Sequence, residues 1–156
     1  MEPSAPLLGG LLENRVLISA LVAWSLAQIL KVPLDFFRTR KWNWALLLSV
    51  GGMPSSHSAL VTSIAMGTGL HAGFDSTVFA VAASVAMVVV YDSTGVRRQA
   101  GIHAQRINVL FNELLAGHPV SERQLLEVLG HTPREALGGV LWGIAVPVLM
   151  YYWLWA

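Results

Sequence analysis

The stretch LGGVLWGIAVPVLMYYWLW, from Leu137 to Trp155, carries no charged residue. As a helix rising about 1.5 Å per residue it covers most of the ~30 Å hydrocarbon thickness of a bilayer. Its trailing Tyr151, Tyr152, Trp153 and Trp155 form the kind of aromatic belt that settles at a membrane–water interface. Three more stretches are apolar enough to be spans: about Arg15 to Leu30, Ser58 to Leu70 and Thr77 to Tyr91. Across the 156 residues 54% are hydrophobic and 12% charged, which lies outside the soluble globular range. The expected fold is all-α, a polytopic membrane helix bundle of about four transmembrane helices with interfacial amphipathic helices. The chain, residues 1–156, reads as a single integral membrane domain with no room for a soluble second one.

The connections are less regular. The span from Ser58 is short, and Trp44 to Val50 would extend it, but Gly51-Gly52-Met53-Pro54 breaks a continuous helix. Trp42 to Met53 therefore reads as an interfacial or re-entrant approach. Ile107, Leu110, Phe111, Leu114 and Leu115 recur at helical spacing and predict an amphipathic helix along the membrane surface. Ser121 with Gln124 marks a second helix start, and Thr132-Pro133-Arg134-Glu135 repeats the capping pattern ahead of the last span. Gly139-x-x-x-Gly143 allows close approach of another helix and leaves a homodimer open, although such patterns are common in membrane helices.

The charges exclude some functions and orient the chain. A net charge of +1 without a continuous arginine run argues against nucleic acid as a partner. Cysteine is absent and no His/Asp/Glu spacing suits a metal, so no metal or cofactor is expected. Met1 to Asn14 has no positive charge ahead of its leucines and does not read as a cleaved signal peptide. With four spans, Lys31, Arg38, Arg40, Lys41, Arg97, Arg98, Arg106, Arg123 and Arg134 fall on one side and Arg15 on the other. That bias places the charged side in the cytoplasm and both termini opposite, the membrane being the cytoplasmic one if the cell is bacterial.

Three separated segments then meet at that face. They are Lys31 to Arg38, Pro54-Ser55-Ser56-His57-Ser58, and Tyr91-Asp92 through Arg97 to His103. Charges near a bilayer are costly unless paired or wet, so their convergence points to a functional site. Pro-Ser-Ser-His at a helix start offers free N–H groups, hydroxyls and the positive end of the helix dipole, which favour an anion such as phosphate. The plainer reading makes Ser55 or Ser56 an N-cap and Pro54 a first-turn proline. His57 tips the balance, because an imidazole beside an anion pocket can give a proton to a leaving oxygen near neutral pH.

Lys31-x6-Arg38, Pro54-Ser-x-His57 and Arg97-x5-His103 resemble, in order and spacing, the three-part signature of the type-2 phosphatidic acid phosphatase and vanadium haloperoxidase superfamily. The chain looks like its short divergent branch, and the Tyr-Asp-x-x-Gly-Val-Arg and Gly-His-Thr-Pro segments add to the likeness. The resemblance implies a metal-independent phosphomonoesterase. On it, Lys31, Arg38 and Arg97 neutralise phosphate oxygens, His103 attacks phosphorus, and His57 protonates the leaving alcohol. The chain departs from the pattern at four places: Thr39 stands for proline, Ser56 for glycine, Gly95-Val96 precedes Arg97 where serine is usual, and Ile107 stands four residues beyond His103. At the last of these the family has an aspartate that orients the nucleophile, and Ile107 accepts no hydrogen bond. Gln99, one turn before His103, and Asp92 are the candidate substitutes.

Asp92 orients Arg97 or His103, or else pairs with Arg98 at the interface. Asp35 reads as a structural partner of Lys31 one turn earlier. His71, His118 and His131 stand beside glycine or loop residues and read as turn or interface histidines. The expected function is hydrolysis of a phosphomonoester or diphosphate of a membrane lipid bearing a phosphate headgroup. The alternatives are a non-catalytic protein that binds or translocates an anionic phospholipid, and a structural subunit whose cations are topological signals only.

Overall fold

The computed structural model describes residues 7–49, 51–114 and 131–155. Every regular element among them is a helix: α1 (Leu7–Glu13), α2 (Arg15–Thr39), a 3-10 turn (Trp44–Leu48), α3 (Ser56–Ala72), α4 (Thr77–Thr94), α5 (Val96–Leu114) and α6 (Pro133–Leu154). The helix expected after Ser121, together with Leu115 and His118, lies outside the described residues.

Among the described residues three stretches are long and apolar enough to cross a membrane: α2, the α4–α5 run Thr77–Phe111, and α6. The fourth apolar stretch, α3, has 17 residues, about 26 Å of helix. It is the hub of the bundle, packed against α2, α4 and α6. The result is a polytopic helical membrane protein in which three helices of spanning length surround a shorter central one.

Contacts at the ends fix the directions. Gly67 of α3 lies on Val16 and Ser19 of α2, whereas Gly52, just before α3, lies on Lys31, so α2 and α3 are antiparallel. Helix α6 runs with α3, because Gly139 meets Ser55 and Ser58, and His71 meets Tyr151 and Trp155. The carbonyl of Ser93 near the end of α4 accepts the His131 N–H at 3.1 Å. The ends of α2 and α4 and the starts of α3 and α6 therefore share one end of the bundle, as the charge pattern led one to expect.

The packing is inverted relative to a soluble bundle. Buried positions are small: Ser19, Ala20, Ala23 and Ala27 of α2, Ser58, Ala59 and Ser63 of α3, Gly139 and Gly143 of α6. Large side chains such as Leu21, Trp24, Ile29, Val81, Val88 and Leu141 point outward. In water that arrangement would leave most of the hydrophobic driving force unused. In lipid, association depends on close backbone approach, which small residues permit. A Cβ at Gly143 would come within 2.6 Å of the Ala59 carbonyl, and one at Gly139 would overlap the carbonyl of Ser55. The Gly-x-x-x-Gly pattern is thus occupied within the chain, by α3.

Local signals set the helix starts. Asn14, Ser55 and Ser76 each cap a helix by accepting an N–H three residues on, and Thr132 and Glu135 form the reciprocal capping box the sequence foretold. Helix α2 runs beyond the apolar span Arg15 to Leu30, through Pro33 to Thr39, and is closed by Arg40 at φ 57°, whose N–H reaches the Phe36 carbonyl at 2.8 Å. Proline removes one helical hydrogen bond, and Lys31 and Val32, buried just before it, keep this turn seated on the bundle.

The Trp42 to Met53 connection folds back on α2. Gln28 Nε2 donates to the carbonyls of Leu46, Leu47 and Ser49 at 3.3, 2.7 and 3.1 Å. Phe36, Trp42 and Trp44 stack in sequence, with ring centroids 4.3 and 5.6 Å apart, and leave an exposed aromatic edge. Gln28 thereby adds a donor to carbonyls at the end of the turn, where the Ser49 N–H and hydroxyl also bond the Leu46 carbonyl.

Candidate functional site

Lys31 stands one turn beyond Gln28 and is 1% exposed. Its ammonium donates to the Ser49 carbonyl at 3.2 Å. Its aliphatic stem lies against Gly52, which has φ +92°; a Cβ there would sit 3.6 Å from Lys31 Cδ and strain the backbone. A buried ammonium with one hydrogen-bond partner among the described residues is an expensive group to keep in a membrane helix, and such groups mark function.

A cavity of about 220 Å³ opens beside it, lined by Lys31, Leu34, Asp35, Arg38, Leu46, Gly52, Met53 and Glu135. Leu34, Arg38 and Met53 are exposed, so the cavity reaches the surface. Its volume lies below the ~300–1,000 Å³ of pockets that enclose a drug-sized ligand. It has room for a headgroup and none for acyl tails. Two cations and two carboxylates line it. Asp35, expected to pair with Lys31, shares the cavity with it.

The start of α3 follows directly on Gly52 and Met53 of the cavity wall without lining the cavity itself. Ser55 acts as the N-cap: its Oγ accepts the Ser58 N–H at 3.3 Å, and its own N–H donates to the Glu135 carbonyl at 3.0 Å. Ser55 and Ser56 are both buried, and His57, next in line, is exposed.

His57 faces a second histidine, with ring centroids 6.3 Å apart. This is His131, which does not stand alone. It is 5% exposed, its Nδ1 lies 3.2 Å from Glu135 Oε2, and its Nε2 is buried with no hydrogen-bond partner among the described residues. The same Glu135 oxygen accepts the Thr132 N–H at 3.2 Å. One carboxylate therefore holds the start of α6, steadies an imidazole and borders the cavity with Lys31 and Arg38. From sequence His131 reads as a turn or interface histidine and Glu135 as a cap, neither as a site residue, although His-x-x-x-Glu across a helix start is the spacing that brings two side chains onto one face.

The third motif is placed differently. Asp92 is half-buried in the last turn of α4, one residue before the Ser93 carbonyl that receives His131. Arg97 lies in the first turn of α5. His103 is exposed and lines a shallow groove with Tyr91, Gly95, Val96, Gln99 and Ala100. Since α5 begins at Val96, Gln99 does share a face with His103, while Ile107, a turn further on, is 40% exposed. Among the described helices α5 packs against α4 alone. The structure thus gathers Lys31 and Arg38 around one cavity, with Glu135 linking it to His131 and, through that ring, to His57; Ser55, Ser56, His57, His131 and His103 are not among the lining residues. No group of three His, Cys, Asp or Glu side chains suited to a metal occurs among the described residues.

The model of the divergent PAP2 family matches residues 12–146, a stretch that includes every segment just described. The chain belongs to this family. It is also 43% identical over 153 residues to the uncharacterized membrane protein YuiD of Bacillus subtilis (strain 168), a match covering 91% of this chain and 97% of that one. No solved structure matches it. Family membership agrees with the resemblance read from the three motifs and with the helical membrane fold.

Proposed function

We propose that the protein is a membrane phosphatase that removes a phosphate from a lipid phosphomonoester or diphosphate while the tails stay in the bilayer. The observation that carries this reading is the buried Lys31 beside Arg38 in a headgroup-sized cavity at one end of a membrane bundle. A transferring phosphoryl group mainly requires positive charge around its equatorial oxygens and an in-line nucleophile. Lys31 and Arg38 supply charge from α2, and Arg97 adds a third cation from the start of α5. The start of α3, with Ser55 and Ser56, adds the positive end of a helix dipole. His57 gives a proton to the leaving alcohol, a histidine forms a transient P–N bond, and water then releases inorganic phosphate without a metal. Asp92 supports the third motif from the end of α4.

Purified protein in detergent is expected to release inorganic phosphate from phosphatidic acid, phosphatidylglycerophosphate or a polyprenyl phosphate. Silence across that panel, or activity unchanged in His57→Ala, overturns the reading. A second reading, a binding or translocating protein that keeps the pocket without the reaction, is favoured by Ile107 and the exposed setting of His103. On that reading Lys31→Met abolishes lipid binding and no phosphate is released from any lipid.

The cavity end faces the cytoplasm on this proposal, following the cation bias. Because the chain has no cysteine, single replacements read cleanly: in intact cells Arg40→Cys should resist a membrane-impermeant thiol reagent and Asn14→Cys should react. The reverse pattern inverts the topology.

A further inference from the structure

Resting on the phosphatase reading, we infer that the attacking group is Nε2 of His131, positioned by Glu135, rather than a nitrogen of His103. Two observations point to it. The first is the imidazole itself. Nδ1 is held at 3.2 Å by Glu135 Oε2 and Nε2 is buried without a partner among the described residues. In the neutral ring, an Nδ1–H donated to the carboxylate leaves the lone pair on Nε2. A buried polar atom left unsatisfied costs about 1–3 kcal/mol. That cost is recovered when the atom meets an electrophile or a donor, so the orphan marks a place kept for a ligand.

The second observation is spacing. The family's orienting carboxylate lies four residues beyond its nucleophilic histidine, where His103 meets Ile107. Beyond His131 the same step arrives at Glu135, and the structure joins the two side chains. Glu135 also lines the cavity of Lys31 and Arg38, and the His57 ring lies 6.3 Å from that of His131. Glu135 thus joins the two parts: its carboxylate borders the cavity of the cations on one side and holds the His131 ring, with His57 beyond it, on the other. His103 has an exposed groove on α5 and no carboxylate at the corresponding step.

The reaction balances. Nε2 of neutral His131 attacks phosphorus and a P–N bond forms as the P–O bond to the lipid alcohol breaks. The departing oxygen takes the proton of the His57 imidazolium. Neutral His57 then accepts a proton from the water that attacks the phosphohistidine. Phosphate leaves, Nε2 regains its lone pair, and His57 is again protonated. Glu135 does not react. It is a positioning residue that stabilises the charge gained by the imidazole ring in the phosphoenzyme.

The test is to map the phosphohistidine on the full-length protein in detergent. Acid-labile, base-stable label is trapped by rapid quenching during turnover of a radiolabelled lipid phosphate, and separately after exposure to phosphoramidate, a small phosphoryl donor that needs no lipid site. Trypsin separates the candidates, because His103 falls in the peptide Gln99 to Arg106 and His131 in the peptide Gln124 to Arg134. Label is expected in the His131 peptide, lost at least 100-fold in His131→Gln and still formed in His103→Gln. Label in the His103 peptide, or label surviving His131→Gln, overturns the assignment. If no lipid is hydrolysed, preferential phosphoramidate labelling of His131 retains the assignment while the phosphatase reading falls; labelling of His103 first removes the assignment too. Glu135→Gln guards against a folding artefact, because glutamine keeps the capping box. It should lower kcat at least 10-fold with KM changed less than 3-fold, and Glu135→Asp should recover part of the loss. Equal changes in kcat and KM, with no recovery, would make Glu135 merely structural.

Discussion

The two ends of the bundle carry similar residues in different settings. At the end where α3 begins, Lys31 is 1% exposed, and Glu135 ties a buried histidine to a cavity lined with cations. At the opposite end Arg15 is exposed and lies 5.7 Å from the centroid of Trp155, while the His71 ring sits 5.1 Å from Tyr151 and 5.6 Å from Trp155. Both ends therefore hold a cation and histidine with aromatic rings nearby. The difference is enclosure. Where the groups are exposed and lie against rings, they anchor a helix end at the interface. Where they are buried with fixed partners, the chain bears a desolvation cost that stability alone does not explain.

Substitutions at matched positions can break that contrast. The largest effect is expected from Lys31→Met, which keeps the stem and removes the charge. Phosphate release should fall roughly 10²–10³-fold, the scale seen when one transition-state donor is lost. A loss under 5-fold in a phosphate-release assay would make the buried lysine a structural feature. Next comes Gly139→Ala, whose new Cβ overlaps the Ser55 carbonyl. Overpacking of this kind costs about 1–3 kcal/mol, to be read as a lowered melting temperature in detergent, whereas Gly10→Ala, with nothing within 4 Å, should not change it. Thr132→Ala removes half of the capping box and should cost about 1 kcal/mol, with a fall in activity if the start of α6 holds the site together. The smallest effect belongs to the opposite end. Arg15→Gln gives up a cation–π contact worth about 0.5–1 kcal/mol at an exposed site and should leave phosphate release within 2-fold. A larger loss of activity there would mean that the two ends are coupled.

Much of this could be read from the sequence, for local reasons. Apolar runs report membrane helices because solvent selects for them directly, and Ser55, Thr132 and Glu135 announce helix starts because a cap acts within one turn. The gathering of Lys31, Arg38 and His57 at one end followed from topology alone. Gln28 escaped notice because its partners lie about twenty residues away, on carbonyls that no side-chain pattern reports. His131 reads from sequence as a turn or interface histidine for another reason: Glu135 is fully accounted for as a cap, and no local pattern shows that the same carboxylate also reaches an imidazole.

The bond from the Ser55 N–H to the Glu135 carbonyl joins parts of the chain that are synthesised far apart in time. The ribosome completes α2 and α3, with Lys31 and Ser55, well before Pro133 begins α6. Until that last helix arrives, Gly139 cannot seat on Ser55 and the cavity lacks its Glu135 wall. A nascent chain held in the insertion machinery therefore has the cations but not the enclosure. The cavity is completed only once the final hydrophobic segment has been inserted and docked.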